Sequence, residues 1–288
     1  MTDNARLSPV WLVVIAVLLW STGGLFIKSA TLSDAELSCG RALFAAATVM
    51  LLTRREGFGV NFVTALAAVF YAALLFLFVR ATLLTTAANA IFLQYTAPVY
   101  ILLAEPWMYR ERYHGRDFAV VAGCVAGMSL FFVGQLRPQD VSGNLAALAS
   151  GFCFACFYLL LRHPRARQVN RASSVIYGNL LLALVTAPAL VSGIAAGHFG
   201  SRNFLIVAYL GIVQLGIAYT LLTLGVARGV KSLQASVIGY IEPVLNPVWV
   251  FLFLGERPSR YALLGGAIII LTVAAHTLRG AREAKVES

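Results

Sequence analysis

Long apolar runs separated by short charged gaps make up almost the whole chain. Windows free of Asp, Glu, Lys and Arg fall at 7–27, 57–79, 81–104, 118–136, 141–161, 172–201, 203–227 and 261–278. Two more, 37–53 and 232–255, carry one charge each, Arg41 and Glu242. About 20 apolar residues cross a bilayer as a helix, and the lower bound is about 17. Ten windows meet that requirement, and they predict ten transmembrane helices. Strands do not fit, because membrane strands are only about 10 residues long and alternate apolar with polar positions. The expected fold is an all-α membrane protein.

Composition agrees. The 288 residues are 60% hydrophobic and 12% charged, against about 25% charged in soluble domains. A net charge of +10 would suit nucleic acid only if the basic residues clustered on a soluble face. They lie instead in the gaps between apolar runs, so the expected partners are the lipid bilayer and a small-molecule substrate, with no nucleic acid. With a cytoplasmic N-terminus, fifteen Lys and Arg fall on the inner side and six on the outer, with Arg41 inside a span. That excess predicts cytoplasmic N- and C-termini. The first run has no small-residue cleavage site before Lys28 and reads as a retained helix. Cys39, Cys124, Cys153 and Cys156 all lie in apolar runs. No disulfide is expected, and Cys153 with Cys156 lacks the second ligand pair of a metal site, so no metal and no cofactor is expected.

The chain repeats itself. Residues 95–112, YTAPVYILLAEPWMYRER, and 240–257, YIEPVLNPVWVFLFLGER, share Tyr95/Tyr240, Pro98/Pro243, Val99/Val244, Glu111/Glu256 and Arg112/Arg257 at an offset of 145. The first span overlies the sixth at an offset of 134, and Phe118 and Gly123 overlie Tyr261 and Gly266 at 143. Each copy therefore holds five spans, 8–137 and 141–279, followed by a cytoplasmic tail, 280–288. Five is odd, so the second copy must cross the membrane in the opposite sense. Such inverted repeats mark secondary transporters, whose substrate site lies near the pseudo-two-fold axis.

Leu18 to Trp20 followed by Lys28, Arg41 in the second span, and the twice-used proline stretch ending in Glu111-Arg112 and Gly255-Glu256-Arg257 resemble the drug/metabolite transporter superfamily. The chain is similar to its two-EamA-domain, ten-helix branch, and within that to bacterial inner-membrane exporters of aromatic amino acids. The resemblance covers about residues 8–280. It implies two inverted five-helix EamA-type repeats, a bacterial inner-membrane location, and export of aromatic and other small apolar amino acids by alternating access through a central cavity.

The residues themselves offer candidates. Pro98, Pro243 and Pro247 free carbonyls at membrane depth and are either packing kinks or paired hinges for two gates. Glu242 is the one acid near the middle of a span, where a charge is costly. It reads as an ammonium site, a proton site or the ion-pair partner of Arg41 or Arg228, and its counterpart in the first copy is Ala97. Arg41 reads as a snorkelling residue or as a partner for Glu242 or a substrate carboxylate. Trp20, Tyr71, Tyr95, Phe154, Phe157, Tyr158, Tyr209, Tyr219 and Tyr240 face either lipid or an apolar site, with Phe154, Phe157 and Tyr158 on one helix face. Asn89, Gln94, Gln214 and Asn246 are either polar contacts of that site or bonds between helices. Gly123 and Gly127 suit close packing of spans five and ten, or dimerisation. A monomer or weak homodimer is expected.

No catalytic set is visible. His114, His163, His198 and His276 fall in loops or at span ends, and no P-loop or channel filter is present. Two transport readings follow: export of aromatic and other apolar amino acids, or efflux of cationic drugs or amine metabolites with Glu242 as the cation or proton site.

Overall fold

The computed structural model describes residues 8–85, 87–110, 113, 115–130, 133, 141–254 and 260–286. Arg6, Glu111, Arg112, His114, Arg137, Gly255, Glu256 and Arg257, which entered the readings above, lie outside these described residues, as does the end of the 280–288 tail. Among the described residues each predicted span is largely helical. Span one is α1 (Pro9–Trp20) and α2 (Gly23–Ser29), span two α3 (Asp34–Thr53), span three α4 (Phe62–Leu84), and span four α5 (Ala87–Gln94) with α6 (Ala97–Tyr109). Span five is α7 (Gly115–Ser129), span six α8 (Val141–Arg162) and span seven α9 (Ser173–Ala195). Span eight joins α10 (Ser201–Tyr209), a π-helical stretch (Leu210–Ile217) and α11 (Ala218–Ala227). Span nine is α12 (Ser232–Gly239) and α13 (Ile241–Leu254), and span ten α14 (Arg260–Val286). No strand occurs among the described residues.

Six of these segments are long and apolar enough to cross a membrane by length and hydropathy alone. Spans four and nine miss that standard because each is interrupted at a tyrosine, Tyr95 and Tyr240. The starts are fixed locally. Ser33 and Glu36 form a capping box on α3, and Asn61 and Thr64 form one on α4, each satisfying two backbone N–H groups that have no partner inside the helix. Outward faces are apolar: Trp11, Leu51, Phe62, Trp107, Leu184 and Leu271 are exposed. A soluble protein would bury such a band, whereas a bilayer covers it. The chain is an all-α, multi-pass membrane protein.

The loops sort into two ends. After spans two and six, Asn61 donates to the Arg165 carbonyl and Asn170 to the Gly57 carbonyl. Arg228, after span eight, lines a cleft with Arg171 and Glu56, and Tyr113, after span four, donates to Glu105, which pairs with Arg162. This is the basic end. At the other end, Thr31 after span one meets Asn203, His198 after span seven meets Glu36, and Lys28 meets the Thr85 carbonyl after span three. Loops one and six, two and seven, and three and eight therefore lie at opposite ends, so the two repeats are inverted. Packing has the same symmetry. Span three rests on spans six and seven as span eight rests on spans one and two, span four on six as nine on one, and spans two and seven, and five and ten, pack on each other.

Small residues permit this closeness. A Cβ on Gly127 would lie 3.0 Å from the Gly265 carbonyl oxygen and 2.9 Å from Ile269 Cγ1, so spans five and ten touch backbone to backbone. Gly127→Leu is expected to lower stability by about 1–3 kcal/mol through overpacking. Thermal unfolding in detergent, with Val120→Leu as an outlying control, measures this.

Candidate functional site

The two proline stretches break their helices at the same place. Pro98 and Pro243 stand in the first turn of α6 and α13, where their missing N–H has no partner to lose. The residue three before each proline, Tyr95 or Tyr240, therefore sits in a turn between half-helices. These turns meet. Tyr240 donates its hydroxyl to the Tyr95 carbonyl at 3.0 Å, Tyr95 donates to Glu242 Oε2 at 2.6 Å, and the two rings lie 5.5 Å apart. The repeated motif thus makes its contact with its own copy, at the axis relating the repeats.

Beside this junction lies an enclosed cavity of about 20 Å³, bounded by Trp20, Arg41, Leu74, Leu75, Phe78, Gln94, Phe154, Gln214, Leu215, Tyr219 and Glu242. It holds about one water. Aromatic rings form a continuous wall. Trp20 lies 4.7 Å from Tyr219 and 5.9 Å from Phe154, Phe154 stacks on Tyr158 at 4.6 Å, and Tyr71 lies 4.8 Å from Tyr219 and 5.0 Å from Phe157.

A guanidinium and a carboxyl group line this one space. Arg41 is 0% exposed and Glu242 5%. Among the described residues they form no ion pair with each other or with any third group. Arg41 Nη2 donates to the Leu75 carbonyl at 3.0 Å and its Nε has no acceptor. Glu242 accepts from Tyr95. Arg41 therefore does not snorkel, and Arg228 lies at the basic end with Arg171 rather than with Glu242. Neutral groups around Arg41 and Glu242 are partly committed. Gln94 Nε2 donates to Ser150 Oγ at 2.7 Å and Ser150 to the Leu74 carbonyl at 3.0 Å. Among the described residues, Trp20 Nε1, Tyr158 OH and Gln214 Oε1 are buried and find no partner. Buried polar atoms normally find partners, and these three lie close to Arg41 and Glu242 without one.

Of the predicted candidates, Trp20, Gln94, Phe154, Gln214, Tyr219 and Glu242 line the cavity, Tyr71, Phe157 and Tyr158 stand behind it, and Tyr95 and Tyr240 hold the junction. Tyr209 lies elsewhere, bonded to Thr22. Asn89, Asn246 and Pro247 have side chains outside the described set. Sequence reading missed Ser150, Asn179, which donates to the Tyr71 hydroxyl at 3.3 Å, and the π-helical stretch that carries Gln214. It left Arg41 between a snorkelling residue and a partner for Glu242 or a substrate carboxylate. One signal for Arg41 is Gly211: a Cβ there would lie 2.5 Å from the Arg41 carbonyl oxygen, so the glycine lets span eight press on the arginine's backbone.

The surroundings are asymmetric. Away from the basic end, α2, α10 and α13 flank an apolar cleft of about 850 Å³, lined by Leu25, Phe26, Leu205, Ile206, Tyr209, Trp249 and Phe253 among others. At its floor Trp249 Nε1 donates to Ser21 Oγ at 2.8 Å and Thr22 meets Tyr209 at 3.0 Å. Ser21 directly follows Trp20, which lines the cavity. At the symmetry-related place at the basic end, described side chains bridge the helices. Arg162 Nη1 binds Glu105 Oε1 at 2.7 Å, Tyr113 donates to the same carboxylate, and Tyr109 donates to the Leu159 carbonyl at 2.5 Å.

An inverted pair of five-helix repeats, with a polar cavity at their axis and a cleft toward one end, is the architecture of a membrane carrier. Comparison with known proteins makes this specific. The profile of the EamA-like transporter family matches residues 7–133 and 141–277, and the chain belongs to that family. It is 26% identical over 210 residues to the threonine/homoserine exporter RhtA of Escherichia coli strain K12, covering 69% of this chain and 65% of RhtA. The match thus spans just under two thirds of that relative. It is 26% identical over 180 residues to a protein of Streptantibioticus cattleyicolor named "Probable terminal-alkyne amino-acid exporter", covering 62% of this chain and 59% of that one. A solved crystal structure superposes with a TM-score of 0.78 at 24% identity, covering 96% of this chain and 99% of the other. That likeness shows the fold.

Proposed function

We propose that the chain exports amino acids with aromatic or other apolar side chains, by alternating access about the cavity between Arg41 and Glu242. The observation that carries this reading is a buried guanidinium and a buried carboxyl group that line one space without pairing with each other. A zwitterion matches both: its carboxylate meets Arg41, its ammonium meets Glu242, and its side chain meets the wall of Trp20, Phe154 and Tyr219. Two relatives are named as exporters of amino acids with different side chains. Their common element is the α-amino acid group, which is the part Arg41 and Glu242 would bind.

The cavity holds about one water, so loading requires its walls to separate. The half-helix junctions at Tyr95 and Tyr240 are the natural hinges, with Pro98 and Pro243 beside them. The Glu105, Arg162 and Tyr113 contacts close one gate while the cleft beside Trp249 opens toward the other. With the basic end facing the cytoplasm, this arrangement is poised for release, and both chain ends face inward across a bacterial inner membrane. All groups of the site come from a single chain, so one copy suffices.

Counterflow in proteoliposomes tests the reading. Tryptophan, phenylalanine, threonine and methionine are expected to exchange with the first two preferred, and a quaternary ammonium is not. Exchange of the quaternary ammonium without any amino acid would replace this reading with amine efflux. Arg41 beside Glu242 disfavours that alternative, because a bare cation would face the guanidinium.

A further inference from the structure

A second cleft, of about 310 Å³, lies at the basic end between the loop after span six, the start of span seven and the last turn of span eight. None of its lining residues bounds the central cavity. Three guanidinium groups converge on it, from Arg167, Arg171 and Arg228, with Glu56 as the one carboxylate in its wall. Glu56 is already engaged by Arg171, through an ion pair with Nη1 and a hydrogen bond from the backbone N–H at 3.3 Å. Among the described residues, Arg167 and Arg228 have no carboxylate partner. Arg171 Nε is buried and has no acceptor. Burial and the neighbouring Arg228 both hold the Arg171 guanidinium below its ordinary value. The cleft thus gathers like charges that repel one another, and an anion between them would relieve that repulsion.

We propose that this cleft binds a phosphate ester, the headgroup of an anionic phospholipid. Guanidinium groups match phosphate oxygens with paired donors and are less strongly hydrated than ammonium groups. Most of the remaining wall is apolar, with Leu161 and Leu224 beside Thr223, at the basic ends of spans six and eight. A free inorganic anion would gain nothing from that wall, whereas a phospholipid lays its glycerol and first methylenes on it. Basic pockets at the ends of helices, on the side rich in Lys and Arg, suit such headgroups. The site is independent of the transport cavity, so its occupancy would stabilise the basic end whatever the substrate.

The test uses the full chain in detergent, probed by native mass spectrometry with phosphatidylglycerol, phosphatidylcholine and inorganic phosphate. The expected result is one phosphatidylglycerol retained per chain with about tenfold preference over phosphatidylcholine, falling to near parity in Arg167→Gln/Arg228→Gln. Arg228→Lys should keep part of the preference, and Arg202→Gln at the opposite end all of it. Arg167 and Arg228 are exposed, so these variants should fold, as the thermal midpoint will report. Displacement of the lipid by inorganic phosphate at equal concentration would keep the phosphate site but assign it to a soluble anion. Equal retention of both lipids, or an unchanged preference in Arg167→Gln/Arg228→Gln, overturns the proposal.

Discussion

Glu242→Gln is expected to weaken binding of every transported amino acid by about 10- to 100-fold, the loss of one buried charge-assisted contact of about 1.5–3 kcal/mol. The change keeps the side chain's shape and its acceptor oxygen, so the Tyr95 hydroxyl keeps its bond and the junction of the half-helices should hold. What disappears is the negative charge that faces an ammonium. A ligand without an ammonium should therefore be insensitive: an indole carboxylic acid that competes with tryptophan in the parent should compete equally well in the variant. Competition counterflow in proteoliposomes measures both halves. Uniform loss for amino acids and carboxylic acids alike would place Glu242 in the scaffold, and unchanged amino acid affinity would remove it from the site.

Much of this architecture is legible in the chain. Ten apolar windows became ten helical segments, because a helix that must satisfy its own backbone inside lipid leaves a length signal that tertiary packing cannot erase. The inversion followed from an odd number of spans per repeat, and the loop contacts carry it. The breaks at Tyr95 and Tyr240 were visible only as prolines. A kink and a full interruption look alike in sequence, since the deciding contacts, Tyr240 to the Tyr95 carbonyl and Tyr95 to Glu242, join residues 145 and 147 positions apart. Arg41 was harder. An arginine eight residues after the cap at Ser33 usually reaches back to the surface, and only the folded structure shows this one fully buried and bonded to the Leu75 carbonyl. The π-helical stretch carrying Gln214 has no sequence signature at all, although such stretches often mark functional sites. Ser150 was invisible for another reason: a serine in an apolar helix usually bonds its own backbone, whereas this one bridges Gln94 to the Leu74 carbonyl across three spans.

Arg41→Met should separate function from stability more sharply than any other substitution. Arg41 is fully buried with one hydrogen bond to the Leu75 carbonyl, and a buried ion without a counter-charge costs the fold several kcal/mol. Methionine fills a similar volume without that charge, so the variant is expected to unfold at the same temperature or higher. Transport should nonetheless collapse, with amino acid affinity falling about 100-fold as a paired-donor contact to the carboxylate is lost. An amine with the same ring but no carboxylate, such as tryptamine, should bind the variant at least as well as the parent, because the guanidinium that repels its ammonium is gone. Arg41→Lys keeps the charge but not the planar fork, and should lie between, with a loss of about tenfold. A destabilised Arg41→Met that still moves tryptophan would make the arginine a structural member of the bundle. A stable one that has lost tryptophan and gained tryptamine would mean that the chain keeps an expensive buried charge for the substrate, since the fold is better off without it.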